Sequence, residues 1–367
     1  MTADSAQAAP AAPAAVWKIR FSTLLWAGLL LLLVGSLPVL VGASWLILPV
    51  LLLAAAVLAL PVAWMHRQQG RRHAWLRGCG AIFCLLCGAL AMPVYYLAIA
   101  TEARPAIVPT VTLTNGPRTL VLQGMQHVAM ERFYKSVVYD LEQALADGYV
   151  LAYEGVARSD PQSDSWFDST LGGGHDLGDN YRQLGKICGL GYQIDYMGPL
   201  VADAKARPQR HVTIDVDTRA MKQQYDSLMA SDAAFAAAMQ RRQRQAAKDS
   251  ADDSADLWAR VIEWQKSGSP GQVALAGTLC RGIMTELMRR ANSHHVSEPL
   301  DAVVLDMRNR HLASALMADT RQKIYVTYGA AHLPGVIALL QQQPGWQLQS
   351  VKWMRTIAAP DAVSGTL

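Results

Sequence analysis

Charged side chains are scarce in this chain, at 17% of 367 residues, and they are absent from three long stretches near its start. These stretches are 21–41, 45–65 and 78–100. Each is close to the roughly 20 residues that an α-helix needs to cross a bilayer. Buried helices of a soluble core are disfavoured, because three uncharged runs in succession would leave no solvated face. The sequence therefore predicts a region of three transmembrane helices, 21–100, held in the lipid bilayer.

Several signatures of function are also missing. No block of Lys and Arg is interleaved with aromatic residues, and the net charge is only +4, so a nucleic-acid partner is not expected. The chain has no His-Glu-x-x-His, no paired Cys-x-x-Cys and no calcium loop, and it lacks the Gly-x-Ser-x-Gly elbow of serine hydrolases. A catalytic site must therefore be assembled from distant segments.

Cysteine is rare beyond the apolar region. Of the five cysteines, only Cys188 and Cys280 follow residue 100. They permit one disulfide if this part of the chain faces an oxidising compartment, and two buried free thiols are equally compatible with the sequence. Cys84 and Cys87 match Cys-x-x-Cys, but no second pair completes a metal site, so they are interpreted as small packing residues.

The basic residues around the apolar runs predict an orientation. The loop between the second and third runs carries Arg67, Arg71, Arg72 and Arg77 without an acid, and Lys18 and Arg20 precede the first run. The positive-inside bias puts this loop and the amino terminus, with an expected disordered tail over 1–20, in the cytoplasm. The sequence thus predicts a multi-pass protein of the inner cell membrane with an extracytoplasmic carboxy-terminal domain.

After residue 100, strand-like segments alternate with helical patterns. We expect a linker over 101–117, an α/β domain over 118–357 and a tail over 358–367. The alternation predicts a central, mainly parallel sheet flanked by helices. The polar, Gly-rich stretch 160–180 is expected to be a mobile loop at the mouth of a site.

Two segments of this domain share the pattern strand, Gly-x-x-His, helix. They are Gly124–His127 and Gly329–His332, and Glu154 ends an apolar strand between them. In a parallel sheet all three side chains would emerge at the carboxyl edge, where ligands bind. A single histidine at a strand end is more often structural. Here two histidines stand in matching contexts, together with Glu154. On spacing alone, a structural role and a functional role are then equally supported.

The chemistry of these residues suggests a metal site. His127, Glu154 and His332 form a common ligand set for a catalytic divalent ion such as Mn, Co or Zn, which lowers the pKa of bound water toward about 7. Arg308 and Asn309, on the helix before the second motif, would stabilise an oxyanion or hold a substrate carboxylate. The predicted catalytic residues are Glu154, Arg308 and His332.

Several motifs, in their order along 118–357, resemble the TraB/TIKI superfamily. They are Q-G-M-Q-H, Y-E-G, L-G-K-I-C-G-L-G-Y-Q, D-V-D, M-R-N-R and Y-G-A-A-H-L-P-G. The resemblance implies an α/β fold and, as in the TIKI branch, metal-dependent proteolysis with manganese or cobalt. Carried over by position, His127, Glu154, Arg308 and His332 match the characteristic residues. One departure is Met125, where the superfamily usually has Ser or Thr.

Two functions follow as expectations. The first is a membrane-anchored, metal-dependent hydrolase, a peptidase acting on a peptide or protein substrate outside the cytoplasm. The second is a non-catalytic module that binds or sequesters a peptide signal in the same pocket. The polar 160–180 stretch, suited to recognition, favours the second.

Overall fold

The computed structural model describes residues 13–65, 70–172, 177–249, 254–293 and 298–360. The chain divides into two compact units. The first contains Met1–Tyr96 and Gly268–Leu275, and the second contains Leu97–Ser267 and Ala276–Leu367.

The first unit contains the apolar helices. They are α1 (Pro13–Ala43), α2 (Ile47–Leu58), α3 (Leu60–Met65) and α4 (Arg71–Ala103), the last of which continues into the second unit. Within the part of the chain that the structure describes, three segments are long and apolar enough to cross a membrane: Arg20–Ala43, Ile47–Met65 and Arg71–Ala103. Large apolar side chains such as Phe21, Leu31 and Leu53 are exposed on them. Such exposure is costly in water and is typical of a surface covered by lipid.

Part of the range expected to be an amino-terminal tail is helical. Helix α1 begins at Pro13, so residues 13–20 are helical, while 1–12 lie outside the described residues. Proline is favourable in the first turn of a helix and alanine is the best helix former, which accounts for the early start.

The second unit is built on a mixed sheet of six strands in the order β6-β4-β7-β2-β1-β8. The strands are β1 (Ile107–Thr114), β2 (Thr119–Met125), β4 (Val150–Tyr153), β6 (His211–Thr213), β7 (Lys323–Gly329) and β8 (Gln347–Arg355). Strands β6, β4, β7 and β2 are parallel, whereas β1 is antiparallel to both β2 and β8. The predicted α/β class is confirmed, and the sheet is mostly but not purely parallel. Two short strands, β3 (Val128–Ala129) and β5 (Gly191–Tyr192), form a second sheet.

Strand β1 lies inside the range 101–117 that we expected to be a linker. It pairs with β2 along Thr110–Thr114 and with β8 along its full length. Its partner β8 is more than 200 residues away in the chain, so the interior position of β1 is not visible in the local pattern.

Helices cover both faces of the sheet. The helices of this unit are α5 (Glu131–Ala146), α6 (Pro161–Thr170), α7 (Leu177–Cys188), α8 (Gly198–Ala206), α9 (Thr218–Ser231), α10 (Ala233–Asp249), α11 (Ser254–Ser267), α12 (Pro270–Ser293), α13 (Met307–Ala318) and α14 (Leu333–Gln341). Side chains of β7 alternate between the faces: Tyr325 packs in the cluster formed with α5, while Val326 and Tyr328 pack in the cluster formed with α13 and α14. The α13–α14 face is the one on which the candidate site lies.

The expected mobile loop over 160–180 is wrong for the part that the structure describes. Residues 161–170 form α6 and residues from 177 onward form α7, while 173–176 lie outside the described residues. The side chain of Asp160 accepts a hydrogen bond from the Ser163 N–H, and Pro161 occupies the first helical turn. An aspartate cap followed by proline starts a helix regardless of the polar composition that follows.

Cys188 and Cys280 form a disulfide that joins the end of α7 to α12. Of the two alternatives that the sequence left open, the structure has the disulfide. Cys84 and Cys87 are free and buried in α4.

Candidate functional site

Three neighbouring parallel strands end at the candidate site. In β4 and β7, Tyr153 is paired with Thr327, and in β2 and β7, Met125 is paired with Gly329. Glu154 therefore follows the end of β4, His332 follows β7, and His127 follows β2, all at the same edge. The structure brings the three predicted strand-end residues to one edge, as expected for parallel strands.

Arg308, the second residue of α13, is at the centre of the site. Its side chain is only 6% exposed. Its Nε and Nη2 donate to Oδ1 and Oδ2 of Asp215 at 2.9 and 2.6 Å. Nη2 also donates to Oε1 of Glu154 at 2.6 Å, and Nη1 lies 3.1 Å from Nε2 of His332. One guanidinium thus binds two carboxylates and one imidazole. Burial lowers the pKa of Arg308, but the hydrogen bond to Asp215 and the charges of Glu154 and Asp215 outweigh it, and the pKa is raised.

Asp215 anchors this arginine. Its side chain is fully buried, and it also accepts hydrogen bonds from the backbone N–H groups of Gly155 at 3.0 Å and Val216 at 2.8 Å. Burial alone would raise the pKa of Asp215, but the hydrogen bonds and charge of Arg308 outweigh it, and the pKa is lowered. Asp215 is therefore a carboxylate that fixes the position of Arg308.

Asp215 was not among the residues predicted from the sequence. The nearby Asp217 is the N-cap of α9, and its side chain accepts a hydrogen bond from the Ala220 N–H at 2.8 Å. The available signal was the position of Asp215 just after a strand, in the D-V-D segment. That position indicates a site residue only because β6 lies beside β4, and the order of strands in the sheet cannot be read from the sequence.

His332 is buried and held at both ring nitrogens. It is 3% exposed, and its Nδ1 lies 2.7 Å from Oδ1 of Asn309. Because an amide oxygen only accepts, Nδ1 carries the proton and the lone pair on Nε2 faces Arg308. Burial, reinforced by the charge of Arg308, lowers the pKa of His332 to about 4, so the ring is neutral at pH 7.

Glu154 forms the open face of the cluster, with its side chain 23% exposed. Oε2 accepts from the Gly329 N–H at 2.6 Å, and Oε1 lies 3.7 Å from Nε2 of His332 as well as accepting from Arg308. The glycine of the second motif leaves room for this contact: a Cβ on Gly329 would lie 3.2 Å from Oε2 of Glu154.

His127 lies at the mouth of the site and is exposed. Its ring stacks on Tyr181 of α7, with ring centroids 4.3 Å apart and planes at 21°. Neighbouring protein atoms displace water from around the imidazole, which lowers the pKa of His127. The negative charge of Glu154 raises this pKa, and the positive charge of Arg308 lowers it further. No motif or spacing predicts the contact with Tyr181, because it comes from a separate helix, α7.

The cluster carries a net negative charge. It contains two carboxylates and one guanidinium, and both imidazoles have lowered pKa values. A site with one uncompensated negative charge, open to solvent at Glu154 and His127, is complementary to a cation.

The three predicted metal ligands form only part of a metal site in this structure. Among the described residues, no group of three or more His, Cys, Asp and Glu side chains is arranged to hold a metal ion. Glu154 and His127 supply donors of the right chemistry on the open side. Nε2 of His332 already accepts from Arg308, so it fits as a third ligand only if Nη1 of Arg308 releases it.

Comparisons with known protein families, with curated proteins and with solved structures found no match.

Proposed function

We propose that this protein is a membrane-anchored, metal-dependent hydrolase that cleaves peptide bonds. The observation that carries the proposal is the convergence of Glu154, His127, His332 and Arg308 at the carboxyl edge of three adjacent parallel strands. An accessible carboxylate, neutral imidazoles and a fixed guanidinium are groups that can serve as base, proton donor and oxyanion stabiliser in the hydrolysis of an amide. The resemblance of the surrounding motifs to the TraB/TIKI superfamily points the same way.

His127 and Glu154 would hold the divalent ion (Mn, Co or Zn), joined by His332 when Arg308 releases it. When bound, such an ion polarises a carbonyl and lowers the pKa of water. The chain itself supplies the remaining chemistry. Asp215 aims the permanent positive charge of Arg308 into the site, where it stabilises negative charge that develops on the substrate carbonyl oxygen. Asn309 keeps the proton of His332 on Nδ1, so that Nε2 remains a lone-pair donor or proton acceptor.

The location proposed for this domain is outside the cytoplasm, at the inner membrane. Three helices of membrane-spanning length precede it in the chain. The Cys188–Cys280 disulfide supports this side of the membrane, because disulfides persist in oxidising compartments and are rare in the cytosol. The Arg-rich segment 67–77 between the second and third spans favours the same orientation.

The full-length protein in detergent micelles provides the test. After chelation, it is reloaded with Mn²⁺, Co²⁺ or Zn²⁺, and metal content and cleavage of a peptide library are measured by mass spectrometry. We expect about one ion per chain and metal-dependent cleavage, and we expect Glu154→Gln to lose both because it removes the uncompensated charge. His311→Ala, at an exposed position of α13, is the matched control and keeps both. Equal metal content and cleavage in Glu154→Gln and the wild type would contradict the proposal.

One observation favours the second candidate, a module that holds a peptide signal without cleaving it. The guanidinium of Arg308 already has bonds to Asp215, Glu154 and His332, which leaves Glu154 and His127 as the accessible polar groups. Such a module binds peptide equally well before and after chelation and releases it intact. Retained peptide affinity in the chelated protein, with no product in any metal, supports this second function over the first.

A further inference from the structure

Helix α12 packs closely against the last turns of α4. A Cβ on Gly282 of α12 would lie 3.1 Å from the backbone Cα of Leu97, so only a glycine allows the two helices to approach this far. One turn further along α12, Glu286 lies 3.6 Å from Arg104, which follows the last residue of α4. Helix α12 is thus held against the end of α4 by an apolar contact and by an ion pair.

The contact at Leu97 defines the level of α12 relative to a bilayer. Leu97 belongs to the segment Arg71–Ala103, which is long and apolar enough to span a membrane, and to the uncharged run 78–100. With a rise of about 1.5 Å per residue, Leu97 lies about 4–5 Å inside the end of that run. A helix that touches α4 at this residue is at the level where the hydrocarbon meets the headgroups.

The first turn of α12 gives the same level from a separate contact. A Cβ on Gly271 would lie 2.8 Å from the Cα of Gly42, which is one residue from the end of the membrane-length segment Arg20–Ala43. The Nε2 of Gln272 also donates a hydrogen bond to the Ala43 carbonyl at 3.0 Å. The beginning of α12 therefore lies at the end of one membrane-length helix, and its middle lies at the end of another.

The outward face of α12 is apolar at this level. Ile283 and Leu287, one helical turn apart, are 41% and 58% exposed. Thr285, on the opposite side of the helix, is fully buried, and Met284 packs in the cluster formed with α7 and α11. A stripe of this kind is costly in water and is favourable at the boundary between headgroups and acyl chains.

Strand β8 brings a second apolar side chain to the end of α4. Nη2 of Arg355 donates to the Thr101 carbonyl at 3.0 Å and lies 2.8 Å from Oε2 of Glu102. Trp353, two residues earlier on the strand and therefore about 6–7 Å away, is 59% exposed. Tryptophan is enriched at membrane–water interfaces, where its ring has both apolar and polar neighbours.

We propose that α12 is an interfacial membrane helix: it lies in the bilayer surface, with Ile283 and Leu287 inserted among the lipids and Trp353 at the same level. The partner of this surface is the lipid bilayer, because the surface is continuous with helices that themselves have the length and apolar character of membrane spans. This inference goes beyond the proposed function and does not rest on hydrolysis.

The inserted helix is connected to the candidate site. Cys280 of α12 is joined by the disulfide to Cys188, the last residue of α7, with Cα atoms 5.0 Å apart. Tyr181 lies seven residues earlier on α7, about 10 Å along the helix, and stacks on His127 at the mouth of the site. Insertion of α12 therefore holds this mouth close to the bilayer surface.

Photolabelling of the wild-type, full-length protein in lipid nanodiscs tests the proposal without a substitution. An apolar aryl diazirine that partitions into the lipid is activated, and tryptic peptides are read by mass spectrometry. Cleavage after Arg281 and Arg289 isolates residues 282–289, which contain both inserted side chains. We expect this peptide to be labelled several-fold more than the peptide that contains Val201.

Val201 is the matched control because it is an exposed apolar residue on a helix, α8, at 51% exposure. This helix lies beside β6, at the opposite edge of the sheet from β8, where Asp203 lies 2.9 Å from Nε2 of His211. The apolar helices α1 and α4 provide the positive control. If these helices are labelled while 282–289 is labelled no more than the Val201 peptide, the proposal is overturned and membrane anchoring still stands.

Spin labels distinguish lipid from a second copy of the chain. Labels are placed by Ile283→Cys, Leu287→Cys and Val201→Cys in full-length protein whose free cysteines are replaced by alanine: Cys79, Cys84 and Cys87. At the first two positions we expect collisions with oxygen to exceed those with a water-soluble nickel chelate, and at Val201 the reverse. Access to the nickel chelate at Ile283 and Leu287, or protection from both reagents as in a protein–protein contact, would overturn the proposal.

Discussion

The two Gly-x-x-His segments are alike in sequence and different in structure. Both follow adjacent parallel strands, with Met125 and Gly329 in register. Yet His332 is buried and hydrogen-bonded at both nitrogens, whereas His127 is exposed and stacked. The difference comes from what packs beside each strand end: α13 brings Arg308 and Asn309 to one, and α7 brings Tyr181 to the other. The motif thus places a histidine at the edge of the sheet. The helix that packs beside that histidine determines whether its side chain is buried and hydrogen-bonded or exposed.

Substitution of Arg308 should cause the largest loss of stability. Of the two histidines, Arg308 is hydrogen-bonded to the buried His332. Arg308→Met leaves the fully buried Asp215 and the partly buried Glu154 without a counter-charge. We expect a loss of about 3–5 kcal/mol in the free energy of unfolding. Denaturation of the full chain in micelles measures it, and Arg310→Met, at an exposed position of the same helix, is the control. A loss below about 1 kcal/mol would mean that the cluster is not closed around Arg308.

The pH dependence of stability should come from the second motif. The pKa of His332 is about 4 in the folded protein, against an ordinary value near 6.5. Because the unfolded chain binds the proton first, stability falls as the pH drops from about 6.5 to 4, by roughly 3 kcal/mol in the metal-free protein. The lowered pKa of Asp215 adds a further loss only at lower pH. Melting temperatures of wild type and His332→Gln between pH 7 and 4 test this, and parallel curves would contradict it.

Direct removal of each imidazole sharpens the contrast. His332→Ala leaves Asn309 Oδ1 without its partner and Arg308 Nη1 with only its long hydrogen bond to the Val304 carbonyl, at 3.5 Å, and we expect a loss of about 2–3 kcal/mol. His127→Ala removes an exposed ring and should change stability by less than about 0.5 kcal/mol. Both variants should lose hydrolysis. Equal destabilisation of the two in thermal melts would show that the histidines are equivalent after all.

The glycines of the two motifs should respond in the opposite order. A Cβ on Gly124 would lie 3.0 Å from the backbone oxygen of Pro109, which cannot move without shifting β1. On Gly329 it would meet the Glu154 side chain at 3.2 Å. Gly124→Ala should cost about 1–2 kcal/mol of stability, and Gly329→Ala less, with its main effect on metal affinity. A larger stability loss in Gly329→Ala, measured by the same melts, would reverse this ranking.

The sequence indicated which strands lead to the site, although β2 continues through Gly124 to Met125 rather than ending before the glycine. Ile324–Tyr328 is a run of β-branched and aromatic residues that stops at glycine, and Glu154 follows a short apolar run, so both could be placed at a sheet edge from local pattern alone. The same reasoning placed His127 at this edge, because it follows the strand-like segment before Gly124.

The partners of these residues could not be predicted in the same way. Asp215 follows a strand of only three residues, and its pairing with Arg308 depends on β6 lying beside β4. Tyr181 reaches His127 because β5 pairs with β3, two strands of two residues each. Contacts of this kind depend on sheet order and on very short pairings, which leave almost no periodic signal in a sequence.

Histidine modification by diethyl pyrocarbonate, read by mass spectrometry in the full-length protein with and without Mn²⁺, tests the central claim most directly. The account predicts that His127 is modified in the metal-free protein and protected several-fold by Mn²⁺, while His332 remains unmodified in both states. Modification of His332 at the rate of His127, or no effect of Mn²⁺ on His127, would contradict it.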